Sequence, residues 1–311
     1  MAAWPRPTSE PRGARAMTAL TEAAAPQAAS SPLPAPQTLP IGGSTVRYRD
    51  SGGPGLPVLL THGIGGSLEL WNRQFERADP ALRLIAWDMP SHGLSSPAPE
   101  DTSLDGIARQ GWQLLQALGV GRALLVGNSL GGAVSLRMAA QAPEAACGLL
   151  LAAAATLGRG TVLPFRLMTL PGLGELMVKP GPMAVKQQVQ AIVKQPGSIT
   201  PEVLAAIERN VMRPGGSAHF LALLRSLTAF RGQKQEVVQR SHEILRQLRV
   251  PFTFLHGEED AVLPVSHSRQ AHQQLPHAGL VVLPGCGHTP QLEQPAAFQF
   301  ALLDLARQAG A

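Results

Sequence analysis

The chain has 311 residues, of which 44% are hydrophobic and 15% charged, with a formal net charge of +5. That length can bury one large α/β core with an insertion, and the composition is globular and rather apolar. Two cysteines, Cys147 and Cys286, exclude a disulfide framework and show no metal-ligand spacing, so both read as buried small hydrophobes.

Residues Met1 to Pro40 carry eight prolines among alanines and serines, without apolar periodicity. Such a segment buries too little to offset its ordering entropy, so a disordered Pro/Ala-rich tail is expected over residues 1–40. It makes a poor signal peptide, because Arg15, Glu22 and Gln27 interrupt the apolar stretch. A start at Met17 would give a more ordinary protein. No run of about eighteen apolar residues occurs, so no membrane span is expected and the default localisation is cytoplasmic.

Order is expected from Ile41, with residues 41–156 forming the first part of an α/β core. Ser44 to Asp50 alternates as an exposed strand, and Pro57 to Thr61 reads as a buried one that runs into His62-Gly63-Ile64-Gly65-Gly66-Ser67. Leu82 to Trp87 is the next buried strand and ends in Asp88-Met89-Pro90-Ser91-His92-Gly93. Thr102 to Leu118 carries apolar residues at helical spacing, with Gly119 as its C-cap. The apolar run Ala123 to Val126 then stops at Gly127-Asn128-Ser129-Leu130-Gly131, and a small-residue helix follows to about Ala142. Glycines two residues either side of Ser129 suit a crowded strand-to-helix turn that lifts a hydroxyl into a crevice. A further buried strand spans Gly148 to Ala154. Continuous apolar strands alternating with helices argue for a mostly parallel sheet covered on both faces.

The alternation breaks at Ala155. Residues 157–235 show no strand pattern but short helical patches (Leu163 to Leu170, Met183 to Lys194, Pro201 to Val211, Ala218 to Phe230) divided by Pro-Gly breaks. Between residues 157 and 250, thirteen Arg and Lys face five Glu, a net +8 that leaves −3 for the rest. The core pattern resumes in the second part, residues 236–311. Pro251 to Leu255 leads into His256-Gly257-Glu258-Glu259-Asp260. The strand Gly279 to Leu283 leads into Gly285-Cys286-Gly287-His288-Thr289-Pro290, and a last amphipathic helix covers Ala296 to Arg307.

The order Ser129, Asp260, His288, each in a loop after a strand, resembles the α/β-hydrolase superfamily, in its serine-nucleophile, lidded branch of esterases and meta-cleavage-product hydrolases. The resemblance runs from about residue 41 to the C-terminus. It implies Ser129 as nucleophile, His288 as general base and Asp260 as the acid that orients it, ahead of the neighbouring Glu258 and Glu259. It also implies an oxyanion hole made by the backbone N–H groups of Ile64 and Leu130, and a helical lid over residues 157–235. Asp88 to Gly93 is similar to the family's D-x-x-G-x-G turn with Ser91 in place of the first glycine, a departure expected to touch packing more than chemistry.

On this reading the chain is a serine hydrolase acting on a carboxylic ester of a small or medium apolar acyl group. The alternatives are a C–C bond hydrolase of aromatic meta-cleavage products and a non-catalytic hydrolase-fold ligand receptor. Phe165 and Phe220 in the lid are candidates for the substrate pocket, with Leu163, Leu167, Met168, Leu221 and Leu224. Trp71 just past the oxyanion loop is another, with core packing as its equal alternative. His62 and His256 read as strand-end residues that brace loops. No cofactor, metal or nucleic-acid partner is expected, only a small-molecule ester, and oligomeric state stays open.

Overall fold

The computed structural model describes residues 32–97 and 101–310. Eight strands share one sheet: β1 Gln37–Ile41, β2 Ser44–Asp50, β3 Leu56–Thr61, β4 Leu82–Trp87, β5 Ala123–Asn128, β6 Ala146–Ala152, β9 Phe252–Gly257 and β10 Gly279–Leu283. Their spatial order is β1-β2-β4-β3-β5-β6-β9-β10. β1 and β2 form an antiparallel hairpin, and β2 pairs antiparallel with β4. Every other neighbour pair is parallel.

The long apolar runs have a direct explanation. Successive side chains of a strand point to opposite faces, and here both faces are covered. Leu59, Leu125 and Leu151 enter the core on one side of the sheet. Their neighbours Leu60, Leu124 and Leu150 enter the core on the other. The first side is roofed by α2 (Leu104–Ala117), α3 (Leu130–Gln141) and α9 (Gln235–Gln247), and the second by α1 (Asn72–Phe75) and α12 (Pro295–Gln308). α2 begins where Ser103 Oγ accepts the Gly106 N–H at 3.1 Å and ends before Gly119, which takes a φ of 71°.

The ordered chain starts earlier than the expected tail boundary at Pro40. Gln37–Ile41 is an edge strand, and Tyr48 Oη donates to Gln37 Oε1 at 3.0 Å. Composition misleads here because an edge strand tolerates prolines that an inner one rejects, and Pro40 sits beside the hairpin turn. Met1 to Ser31 of that tail lies outside the described residues.

The insertion holds five helices: α4 Leu163–Met168, α5 Leu173–Met177, α6 Pro182–Ile192, α7 Pro201–Met212 and α8 Gly216–Leu227. A two-stranded hairpin, β7 Thr228–Ala229 with β8 Gly232–Gln233, follows them and was not expected from the pattern, being only two residues a side. Helices this short are not stable alone. α6 and α7 dock through Val185, Val203 and Ile207, which pack with Leu70 and Leu292 of the core.

Polar contacts pin the insertion as well. Arg213 Nη1 and Nη2 donate to the carbonyls of Gly93 at 3.1 Å and Ser95 at 2.7 Å. That loop is shaped by Asp88, whose carboxylate accepts the N–H of Leu68 at 2.7 Å and of Leu94 at 2.8 Å. Ser91 in it adopts a φ of 61°, so replacing glycine there bears on backbone conformation, with a strain of about 1–3 kcal/mol, rather than on packing alone.

Glu69 is the hub of this attachment. Its carboxylate accepts from Ser67 Oγ at 2.6 Å, from Arg47 Nη2 at 2.7 Å and from both terminal nitrogens of Arg209 at 3.2 Å. Burial by itself would raise the carboxyl, but the hydrogen bonds from Arg47, Arg209 and Ser67 outweigh it and hold the group at about 2. The folded value lies below the ordinary 4.5, so this stabilisation is complete above that pH and is lost as pH falls toward about 2. Glu69→Gln is expected to cost about 3 kcal/mol at pH 7. It should also flatten the acid-side fall in melting temperature, which thermal unfolding from neutral pH down to the acid limit measures.

Candidate active site

β5 and α3 meet at Ser129, whose φ of 56° and ψ of −117° are strained for a side-chain-bearing residue. Steric closure keeps it there. A Cβ at Gly127 would lie 2.2 Å from the Gly131 carbonyl group, one at Gly131 would lie 2.0 Å from Thr61 O, and one at Gly132 would lie 2.5 Å from Ala154 Cβ. With those side chains absent, the helix packs against the ends of β3 and β5. Ser129 N–H donates to Ala152 O at 2.9 Å, and Ser129 O accepts from Ala155 N at 2.9 Å. Both ends of the strained residue are thereby tied to the chain leaving β6.

Asp260 and His288, singled out in the sequence, lie side by side. His288 Nδ1 donates to Asp260 Oδ2 at 2.7 Å. Asp260 Oδ1 accepts the backbone N–H groups of Val262 at 2.7 Å and Leu263 at 2.9 Å. Burial alone would raise the Asp260 carboxyl, but the neighbouring His288 and the hydrogen bonds from His256 and His288 hold it far below the usual carboxylate range. Glu258 and Glu259 instead pair on the exposed side with Arg269 and Lys194.

The loop carrying His288 is anchored from two sides. Asn128 Nδ2, next to Ser129, donates to His288 O at 2.9 Å. Glu293 Oε1 accepts the Gly287 N–H at 2.9 Å, while Oε2 accepts the N–H groups of Lys194 at 2.7 Å and Gln195 at 3.0 Å. Thr289 Oγ1 donates to Ile192 O at 2.9 Å, so the segment leaving α6 is fastened to the histidine loop. Cys286 is fully buried. Burial pushes its thiol up, with Glu293 and Asp260 adding to the effect.

His62 Nδ1 donates to Gly63 O at 2.7 Å and its Nε2 accepts the Met89 N–H at 3.1 Å, which requires the neutral ring that burial also favours. The ring holds the turn in which Gly66 N–H closes on Gly63 O at 3.0 Å, and Ile64 lies inside that turn. The backbone N–H groups of Ile64 and Leu130 have no backbone acceptor among the described residues.

Ser129, His288 and Ile64 border one cavity of about 700 Å³ roofed by the insertion. Phe165 and Phe220 both line it, with ring centroids 6.1 Å apart in an edge-to-face arrangement, and so does Met168. Trp71 does not. It is fully buried on the opposite side of the sheet, 5.8 Å from the Phe298 ring, because the 3₁₀ turn Leu68–Trp71 presents Leu70 to the cavity instead. Leu221 and Leu224 are buried and Leu163 is exposed, and none of the three lines the cavity, nor does Leu167. Among the described residues His288 is the one titratable group on the wall, and no Asp, Glu, Lys or Arg lines it.

The matched family model, the alpha/beta hydrolase family, spans residues 58–299. The chain belongs to the alpha/beta hydrolase family. It is 32% identical over 255 residues to an uncharacterized protein of Mycobacterium tuberculosis, covering 79% of this chain and 74% of that one. It is 28% identical over 273 residues to a 2-hydroxy-6-oxononadienedioate/2-hydroxy-6-oxononatrienedioate hydrolase of Pseudomonas sp, covering 86% and 93%. A thermophilic esterase from Thermogutta terrifontis shares its fold, with a TM-score of 0.71 at 23% identity over 89% of this chain and 100% of that one.

The motifs around Ser129 and His288 contain Asn128 and Glu293, but sequence reasoning missed that these side chains fasten loops to one another. It missed Asn210 altogether, whose Nδ2 donates to Ser67 Oγ at 3.0 Å beside the Ile64 turn. The elbow itself makes a test. Gly131→Ala is expected to lower stability by at least about 2 kcal/mol, because its Cβ meets rigid backbone. Gly121→Ala, where a Cβ meets nothing within 4 Å, should leave the urea midpoint unchanged.

Proposed function

We propose that the protein is a serine hydrolase that cleaves a neutral carboxylic ester of small or medium apolar acyl size. The observation that carries this reading is His288, paired with buried Asp260 at 2.7 Å and bordering with Ser129 a cavity whose walls bear no fixed charge. A cavity of about 700 Å³ lies in the range that holds small-molecule ligands.

In this reading Ser129 Oγ attacks the ester carbonyl as His288 Nε2 takes its proton. Asp260 holds the ring in the Nδ1–H tautomer and stabilises the imidazolium. The oxyanion receives hydrogen bonds from Ile64 and Leu130 N–H, each worth roughly 3 kcal/mol in the transition state. Collapse breaks the ester C–O bond, and the leaving alcohol takes the proton from His288. Water then attacks the acyl-serine, giving a proton to His288 and releasing the carboxylic acid and free Ser129.

The second reading, C–C bond hydrolysis, is supported by the likeness to a hydrolase whose named substrates are dicarboxylates. A doubly anionic substrate calls for a cationic partner when desolvated, and none lines this cavity among the described residues. The ester reading is therefore preferred.

The test is a panel of nitrophenyl esters of graded acyl length beside one meta-cleavage product. Ester turnover is expected to exceed turnover of the anionic C–C substrate. Ser129→Ala, His288→Ala and Asp260→Asn should each lower kcat by roughly a thousandfold or more without loss of fold. Labelling of Ser129 by a fluorophosphonate probe without ester turnover would favour a ligand receptor instead. Full activity in Asp260→Asn would remove the acid from its assigned role.

A further inference from the structure

The mechanism above leaves one buried group at its centre without a task. His256, at the end of β9, is completely buried, and its Nε2 lies 3.0 Å from Asp260 Oδ2, the same oxygen that accepts from His288. Nε2 also lies 3.1 Å from Leu263 O, so both of its neighbours are acceptors and the nitrogen must carry a hydrogen. On the other side of the ring, Nδ1 lies 2.8 Å from Ser268 Oγ, on α10 (Ser266–Gln274). With Nε2 protonated and the ring neutral, Nδ1 accepts the Ser268 hydroxyl proton. Two imidazoles thus converge on one carboxylate oxygen, and the second has its own serine to set its tautomer.

We propose that His256 is a positioning residue for the catalytic acid. Its Nε2–H fixes the Asp260 rotamer and withdraws charge from Oδ2, which tempers how tightly that oxygen holds the His288 imidazolium. This rests on the reading of Asp260 and His288 given above. A general base works best when its protonated form is not overly stable, since it must pass its proton on to the leaving alcohol. A carboxylate oxygen with one donor would bind the imidazolium more strongly than an oxygen with two.

The surroundings leave His256 as the group with this reach. Asp260 and His288 face it from the loops after β9 and β10. From α10 comes His267, whose Nε2 accepts the Gly160 N–H at 3.1 Å and whose ring stays neutral through burial and the nearby His256. His242 on α9 is turned to Leu157 O at 2.9 Å. Arg269 is engaged with Glu258 at the surface.

The test compares His256→Leu, which removes the donor, His256→Gln, whose amide can reach the same place, and Ser268→Ala, which removes the tautomer lock. Each is measured for kcat, KM and the pH profile of kcat/KM on a nitrophenyl ester, with Ser129→Ala as the reference for the underlying mechanism. His256→Leu is expected to lower kcat about tenfold with KM nearly unchanged, and to move the acid limb upward by about half a pH unit. His256→Gln should restore the wild-type limb, and Ser268→Ala should move it in the same direction as His256→Leu by less. Equal losses in the Leu and Gln variants with an unmoved limb would mean that the ring only packs, and would overturn the proposal. If His256→Leu does not fold, an unmoved limb in Ser268→Ala overturns it. Retained activity in Ser129→Ala would instead sink the serine-hydrolase reading, whatever the His256 variants do.

Discussion

The backbone at Ser129 is held in a turn that a side-chain-bearing residue resists, and most of the site follows from how that turn is enforced. Three missing Cβ atoms allow α3 to close against β3, β5 and the chain leaving β6. The same closure brings Asn128 within reach of the His288 carbonyl and the Ile64 turn alongside Ser129. The strain is local, whereas the restraint is spread over the sheet, the helix and the chain leaving β6. Strain of about 1–3 kcal/mol at one residue persists only under such over-determination.

Around this fixed point Asp260 and His288 are placed by hydrogen bonds. Asp260 takes donors from two imidazoles and two backbone N–H groups, which favour the ionised carboxylate although its side chain is fully buried. His62 plays a comparable part for the Ile64 turn, as a neutral ring with one nitrogen donating and the other accepting. The cavity beyond them is lined by apolar side chains, by the uncharged polar groups of Gln187, Gln188, Gln190, Asn210 and Ser217 from the insertion, and by Asn128, Ser129, His288 and Thr289 of the core.

Much of this was legible in the sequence, and the reasons differ by element. Inner strands announce themselves because both faces are buried, and Ser129, Asp260 and His288 each follow one of them, which is why the sequence could single them out as candidates. Glycine at positions 127 and 131 is legible because no other residue fits. The edge strand at Gln37 was not, since a proline-rich edge looks like a tail. Trp71 was misplaced because a short 3₁₀ turn gives no periodicity from which to choose between adjacent side chains. Glu293 stands in the histidine-loop motif, but its bonds to Lys194 and Gln195, like those of Asn210 and Arg209, were hidden because polar groups pairing across more than ninety residues leave no local pattern.

Those fasteners have a consequence for how such a lid can be exchanged. Glu293 belongs to the core, yet it accepts from Lys194 and Gln195 of the insertion and from Gly287 of the histidine loop at the same time. Its demand is for backbone N–H groups, which any sequence except proline supplies. A foreign insertion grafted here therefore needs no matching side chain at this point, provided its chain passes Glu293 with two free amides in register, whereas at Glu69 and Leu70 it must still supply side chains of its own. Glu293 constrains the path of the insertion and not its composition.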